Sequence, residues 1–331
     1  MIIKNKKIIL ITLLCFLLAL IYFYNNHQKI NPKAYITNQG DNTVSIVDLK
    51  TLQVIKTLRV GIAPLGITIL NKKNLGFIGN VGTDDISVID TRTDQVIKTI
   101  KLNTAPLSLT SSPDESKVYV TDWFKNNILI ISVKEMKIID SIKVGLTPSG
   151  IAFNKKYNYL IITNRDANTA EIYDNNNKLI KKLSTGKHPF GVYTKGKYAF
   201  TANVYDDTIT MINLEKWSTQ TIKVGAHPYN IITYNDYLPI FSKYIKDNLG
   251  IVTNTVDDTL SIIDLKTNKE LKQIRTGETP ENLDLHKNLN LLVVTNWGSD
   301  SISVYTLNDL NLIKEIKTGA QSRSFGDFIL H

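Results

Sequence analysis

The stretch AYITNQGDNTVSIVDL at residues 34–49 alternates apolar and polar side chains, breaks at QGDN, and alternates again. A period of two on either side of a Gly/Asp/Asn cluster predicts two strands joined by a tight turn. A lone hairpin cannot bury its apolar face, so it needs further strands. The same pattern returns as LGFIGNVGTDDISVID from Leu75, VYVTDWFKNNILIIS from Val118, YLIITNRDANTAEIYD from Tyr159, YAFTANVYDDTITMIN from Tyr198, LGIVTNTVDDTLSIID from Leu249 and LLVVTNWGSDSISVYT from Leu291. Each copy is followed by a third run such as VIKTIKLN or LIKEIKTG. A Pro then opens a fourth run, at Pro64, Pro106, Pro148, Pro189, Pro228 and Pro280, with Ser322 in the seventh place. No stretch after residue 24 sustains a helical period.

From Pro to Pro the intervals are 42, 42, 41, 39, 52 and 42 residues. Four short strands at that period are the unit of a β-propeller blade. The predicted fold is therefore all-β, a seven-bladed β-propeller. The pattern starts at a second strand, residues 34–38, and finishes on an unpaired first strand, residues 324–330. A ring leaves no open edge only if these meet, so the predicted closure is 1+3: the C-terminal strand is innermost in the blade whose other three strands lie between residues 34 and 60.

The repeated YITN-like strand, DNTVSIVD-like strand and VGIAPLG turn resemble the YVTN-type (YncE-like) β-propeller repeats, over residues 34–330. The resemblance implies an extracytoplasmic seven-bladed propeller; related lactonase-like propellers include both enzymes and binding proteins. Three departures stand out: Asn103 for the turn Gly, Asp122 for the strand-end Asn, and Gln321-Ser322-Arg323-Ser324 for the last Pro-x-Gly.

The N-terminus differs in kind. Lys4, Lys6 and Lys7 precede an uncharged run at residues 8–24 that would reach about 26 Å as a helix, against a hydrocarbon core of about 30 Å. Only Ala19 offers a small residue near a cleavage point, so the expectation is an uncleaved signal-anchor, with a cleaved Sec signal as the alternative: one N-terminal transmembrane helix at residues 1–24, a short linker at 25–33 and the propeller at 34–331. The positive-inside rule keeps the three Lys in the cytoplasm. The expected location is the cell membrane, single-pass, with the propeller on the extracytoplasmic side, in periplasm or at the cell surface.

Cys15 is the sole cysteine, so the segment after it can form no disulfide, thiolate metal site, C-x-x-C-H haem attachment or cysteine nucleophile. Setting aside the three N-terminal Lys leaves 36 basic against 30 acidic residues, a spread excess that argues for solubility over nucleic-acid binding. Neither a G-x-S-x-G elbow, an H-E-x-x-H pair, a phosphate loop nor an EF-hand loop occurs. No cofactor or metal is implied. Asn38, Asn80, Asp122, Asn164, Asn203, Asn254 and Asn296 form one ring, and Asn42, Asp84, Asn126, Asn168, Asp207, Asp258 and Asp300 a second. At strand ends these side chains hold tight turns, and the same reading applies to Asp48, Asp90, Asp174 and Asp264.

Loops after the second strand and before the first share one face, the top. Loops between the first and second strands share the bottom, with Lys72, Lys73, Lys155, Lys156, Lys195, Lys197 and Lys287. The bottom face is thereby a candidate for anionic lipid or wall polymer. The longest interval adds YNDYLPIFSKYIKDN, whose Tyr237, Leu238, Ile240, Phe241 and Tyr244 could touch membrane or a partner on this face.

On the top face, the residues flanking each Pro are Ala63/Leu65, Ala105/Leu107, Thr147/Ser149, His188/Phe190, His227/Tyr229, Thr279/Glu281 and Gln321/Arg323. The candidate ligand-binding arc is His188, Phe190, His227, Tyr229, Glu281 and Arg323, with Trp297 beside Glu281 and with Trp123 and Arg165 across the mouth. Aromatic faces, imidazoles, a carboxylate and a guanidinium suit a small molecule, a peptide or a protein. No catalytic residue is assigned. The reading favours a membrane-tethered binding module over the alternative, a hydrolase or lyase of a small lactone-like or cyclic substrate at the channel mouth.

Overall fold

The computed structural model describes residues 31–234 and 249–331, and among these the chain forms seven sheets arranged as blades round a central axis. Innermost strands Pro64–Leu70, Pro106–Ser111, Pro148–Asn154, Pro189–Lys195, Pro228–Tyr234 and Pro280–His286 all begin on the repeated Pro. A first strand residue needs no ladder N–H, which is why Pro is tolerated there. Second strands such as Lys33–Asn38 are buried throughout, because a neighbouring blade covers each face. Outer strands such as Gln53–Arg59 are exposed at nearly every position. The core therefore lies between blades: Ile36, Val44 and Ile46 of blade 1 pack with Ile67 and Ile78 of blade 2 and with Val293 and Ile302 of blade 7.

The repeated Thr and Gly join one blade to the next. Thr163 Oγ1 donates to the Phe190 carbonyl at 2.7 Å, Thr253 Oγ1 to that of Glu281 at 3.2 Å and Thr295 Oγ1 to that of Arg323 at 2.6 Å. Each bond fixes the residue after the Pro, or after Ser322 in its place, in the following blade. Gly191 allows the close approach beside it, since a Cβ there would stand 2.4 Å from the Tyr229 carbonyl oxygen.

Both polar rings act as turn holders. Asn38 Nδ2 donates to Thr43 and Ser45 hydroxyls, and Asn203 Nδ2 to those of Thr208 and Thr210. In the second ring Asn168 Oδ1 accepts from the His188 N–H at 2.8 Å and Asp207 Oδ1 from the His227 N–H at 2.9 Å. His188 and His227 occupy left-handed positions at φ 52°. In blade 3, Asn103 takes the left-handed place at φ 58°, so this departure moves the turn two residues upstream. Asp48, Asp90, Asp174 and Asp264 each accept from backbone N–H groups two residues on.

Closure is 1+3, with Ile329–Leu330 beside Lys33–Asn38, Thr43–Asp48 and Gln53–Arg59. The propeller's first strand starts at Lys33, one residue before the expected boundary, and Lys33 Nζ pairs with Asp94 at 2.5 Å on the bottom face. The innermost strand is not the single run expected over 324–330. Ser322 bridges Asn38, then Ser324 at φ 55° and Gly326 at φ 133° carry the chain inward. Phe325–Asp327 pairs in parallel with Pro64–Leu70 of blade 2 before Phe328 returns, its carbonyl accepting from Tyr35 N at 3.0 Å. Gly is required at 326, where a Cβ would sit 2.1 Å from the Ile67 carbonyl oxygen.

Asp284 of blade 7 stitches this return. Its Oδ2 accepts from Phe328 N at 3.0 Å and Ile329 N at 3.1 Å. Burial, and next the Asp327 charge, push its carboxyl up to about 7. Asp327 is open to solvent yet enclosed by the ring, and enclosure raises its carboxyl too, against the pull of Lys155. An acid raised in the folded state imposes a cost that is absent below about pH 4, where both states are protonated, and complete above about pH 7. Stability should therefore fall as pH rises across that window. Asp284→Asn keeps both N–H contacts and should make the fall shallower, gaining on the order of 2 kcal/mol at pH 8. Thermal melts of both proteins at pH 5 and 8 check this; parallel pH profiles would contradict it.

Residues 1–30, with the expected transmembrane helix, and residues 235–248, with Tyr237, Leu238, Ile240, Phe241 and Tyr244, lie outside the described residues. Among the described residues no helix is long and apolar enough to cross a membrane.

Candidate functional site at the channel mouth

The inward excursion builds a floor. Phe325 packs with Leu65, Leu107 and Phe190 from blades 2, 3 and 5, and Tyr229 and Trp123 lie against the same cluster. Ring centroids are 5.0 Å apart for Phe190 and Phe325, 4.2 Å for Phe190 and Tyr229, and 6.0 Å for Trp123 and Phe190. Below the floor Asn282 Nδ2 donates to the Ser324 carbonyl and, at 2.9 Å, to that of Gly326, while Asn230 donates to Asn282. The chain's own C-terminal segment therefore occupies the axis, and the mouth is a bowl.

One wall of the bowl is a buried polar network. Arg323 Nε and Nη2 donate to the two oxygens of Glu281 at 2.5 and 2.8 Å. Nη2 also donates to Tyr229 Oη at 2.9 Å, and Nη1 to Gln39 Oε1 at 3.0 Å. Trp297 Nε1 reaches the same Gln39 oxygen at 3.4 Å. Burial pushes the Glu281 carboxyl up while the guanidinium pulls it down, and burial pushes the Tyr229 phenol well above its usual range. A forked guanidinium on a carboxylate is the geometry that keeps such a pair ionised in a confined site.

The opposite rim is a second group. Arg165 Nε donates to His188 Nδ1 at 3.3 Å, His188 lies 4.3 Å from the Tyr205 ring, and Tyr205 lies 5.5 Å from His227. The Arg165 guanidinium also rides over Trp123 at 5.4 Å. Of the seven candidate residues, the structure thus joins Tyr229, Glu281, Arg323 and Trp297 in one network with Phe190 stacked on it. His188 and His227 belong to the rim and flank Tyr205. Leu65 and Leu107, featureless in the sequence, belong to the floor. Gln39, Tyr205 and Phe325 were not singled out. Gln39 was open to discovery, since it occupies the place after the ring Asn that Trp123, Arg165 and Trp297 also hold.

Beyond the bowl, the top loops carry large apolar side chains into solvent: Phe124 at 76% exposure, Val256 at 60%, Leu146 at 57%, Tyr205 at 54% and Ile62 at 53%. Among the described residues no group of three or more His, Cys, Asp or Glu side chains is arranged to hold a metal.

Fold and mouth together define a closed seven-bladed β-propeller with a bowl over a self-supplied aromatic floor. The profile of the family described as YNCE-like beta-propeller matches residues 35–199, and the chain is a β-propeller of the YncE-like type. No curated protein matches the sequence. A functionally unknown protein from Desulfotomaculum acetoxidans has the same fold, with TM-score 0.73 and 15% identity over 88% of this chain and 97% of that one. Kuenenia stuttgartiensis hydrazine synthase gives TM-score 0.72 and 17% identity over 82% and 91%. Dihydro-heme d1 dehydrogenase NirN in complex with DHE gives 0.66 and 13% over 89% and 74%. At these identities the likeness is one of fold alone.

Proposed function

We propose that this protein is a non-catalytic binding module that takes its ligand or partner on the top face. The carrying observation is the set of exposed apolar side chains on the top loops, ringing a bowl whose wall already aligns polar groups. Exposed apolar side chains beside a polar site suit recognition of a ligand or partner. Catalysis is not part of the proposal; Glu281, both of whose oxygens accept from Arg323, is assigned to holding the wall.

The proposal includes a tether: residues 1–24 as a single membrane-spanning anchor, with the propeller on the extracytoplasmic side. Its support is the apolar run after three Lys, together with chain entry at the bottom face through Lys33. The top would then point away from the bilayer, and the bottom lysines towards anionic lipid or wall polymer. Some of these already have partners, since Lys156 pairs with Glu215 and Lys72 Nζ donates to the Pro113 carbonyl.

A fragment screen read by thermal shift on the full chain tests the top-face reading, since ligands of the native state raise its melting temperature. Shifts should vanish in Phe124→Asp/Tyr205→Asp, whose sites are exposed, and persist in Ile55→Asp on an outer strand. Shifts that survive the rim variant and vanish in the outer-strand variant would overturn the proposal.

A further inference from the structure

Two guanidinium groups face each other across the floor, and they differ in how far they are already used. Arg323, on the segment that leads into the closing strand of blade 1, has its charge neutralised by the forked bond to Glu281. Arg165 sits in the top loop of blade 4, across the ring. Its Nε is held by His188, and its nearest carboxylate, Asp166, stands 3.8 Å from Nε and accepts from the Thr147 hydroxyl at 2.5 Å. Its two terminal nitrogens make no hydrogen bond among the described residues. The guanidinium lies over Trp123, Trp123 meets Phe190 edge-on, and Phe190 packs at a tilt against Tyr229, whose hydroxyl accepts from Arg323. An aromatic floor thus runs from a free fork to a neutralised one. The reach of Arg165 into the bowl is also felt at Tyr229, whose phenol it pulls down slightly against the larger push of burial.

We infer that the bowl binds a monoanionic carboxylate carrying an aromatic body, with the carboxylate on the Arg165 fork and the body on the Trp123–Phe190–Tyr229 floor. This rests on the top-face reading and names its ligand class. Asp166 stands beside Nε only, so the two unused terminal nitrogens suit one further negative charge, and a planar fork suits two carboxylate oxygens. The far wall offers no free cation to a second anionic group, because the Arg323 fork is already spent on Glu281. A ring of aromatic size finds contacts on the partly buried Trp123 and Tyr229, with the buried Phe190 behind them. Two sources share this chemistry: a free aromatic acid, and the C-terminal residue of a peptide.

Calorimetric titration of the full chain with four probes tests it: phenylacetate, phenylacetamide, acetyl-Gly-Gly-Phe with a free C-terminus, and the same peptide amidated. At least one acid should bind at least tenfold more tightly than its amide. Arg165→Gln, a change at a partly exposed side chain, should remove that preference, while Arg165→Lys should restore part of it. Preference for phenylacetate alone assigns a free acid, and preference for the peptide acid alone assigns a chain terminus. Amides that bind as well as acids, an acid preference that survives Arg165→Gln, or absence of binding by all four probes would overturn the inference. Thermal-shift hits lost in the rim variant would still stand in that event, so the two failures are distinguishable.

Discussion

Removal of residues 324–331 should abolish the folded propeller and not merely fray one blade. The deletion takes away Phe325, Phe328, Ile329 and Leu330, all buried, and uncovers the inner edge of the strand Lys33–Asn38. Burial of each such side chain is worth about 1.5–3 kcal/mol. The combined loss, roughly 6–12 kcal/mol, is comparable with the entire stability of a typical domain, about 5–15 kcal/mol. The remaining contacts cannot compensate, because Tyr35 N loses the Phe328 carbonyl and Asp284 loses two of the three backbone N–H donors to its enclosed carboxylate. Far-ultraviolet circular dichroism of the truncated chain should show no cooperative melt; a cooperative transition near the full-length temperature would refute this closure.

Arg323→Ala should cost about 3–5 kcal/mol, because it leaves Glu281 as an unpaired charge in the wall of the bowl. For a chain of this size that corresponds to a fall of roughly 5–8 °C in melting temperature. The loss should be larger at pH 8 than at pH 5. Without the guanidinium the Glu281 carboxyl rises further, so the folded state takes up a proton at the lower pH and escapes the charge penalty. Removing both partners, as Glu281→Leu/Arg323→Met, should recover most of the loss, since a matched apolar pair often replaces a buried ion pair at little cost. If the single variant melts within a degree of the parent, or the double variant is no better than the single, the ion pair is not what holds this wall.

The architecture was legible because it is written seven times. The Pro that opens each inner strand, the Thr that bonds to the next blade and the Asn that ties each turn recur at fixed places, and each has one physical task. Counting residues from the Pro was enough to bring Tyr229, Glu281 and Arg323 together, since they come from the adjoining blades 6, 7 and 1. It did not separate His188 and His227 from that wall, because their side-chain partners are Arg165 and Tyr205 on the neighbouring loops, which the Pro count does not include. The floor was hidden for a different reason. SRSFGDFIL reads as a strand, and only the close approach of Gly326 to the Ile67 carbonyl turns Phe325 into the axis. Such an inward turn belongs to the closed ring, not to any local stretch of chain. Leu65 and Leu107 acquired a role in the same way, as walls of a site whose centre is supplied from the far end of the chain.

The top-face account can be tested most directly with the three tryptophans, because they sit on opposite sides of the ring. Trp123 and Trp297 lie at the mouth, while Trp217 stacks with Tyr159 on the bottom face. The full chain labelled with 5-fluorotryptophan should give three fluorine resonances. On titration with any ligand that raises the melting temperature, those of Trp123 and Trp297 should move and that of Trp217 should stay. Movement of the Trp217 resonance alone would place recognition on the bottom face and contradict the account.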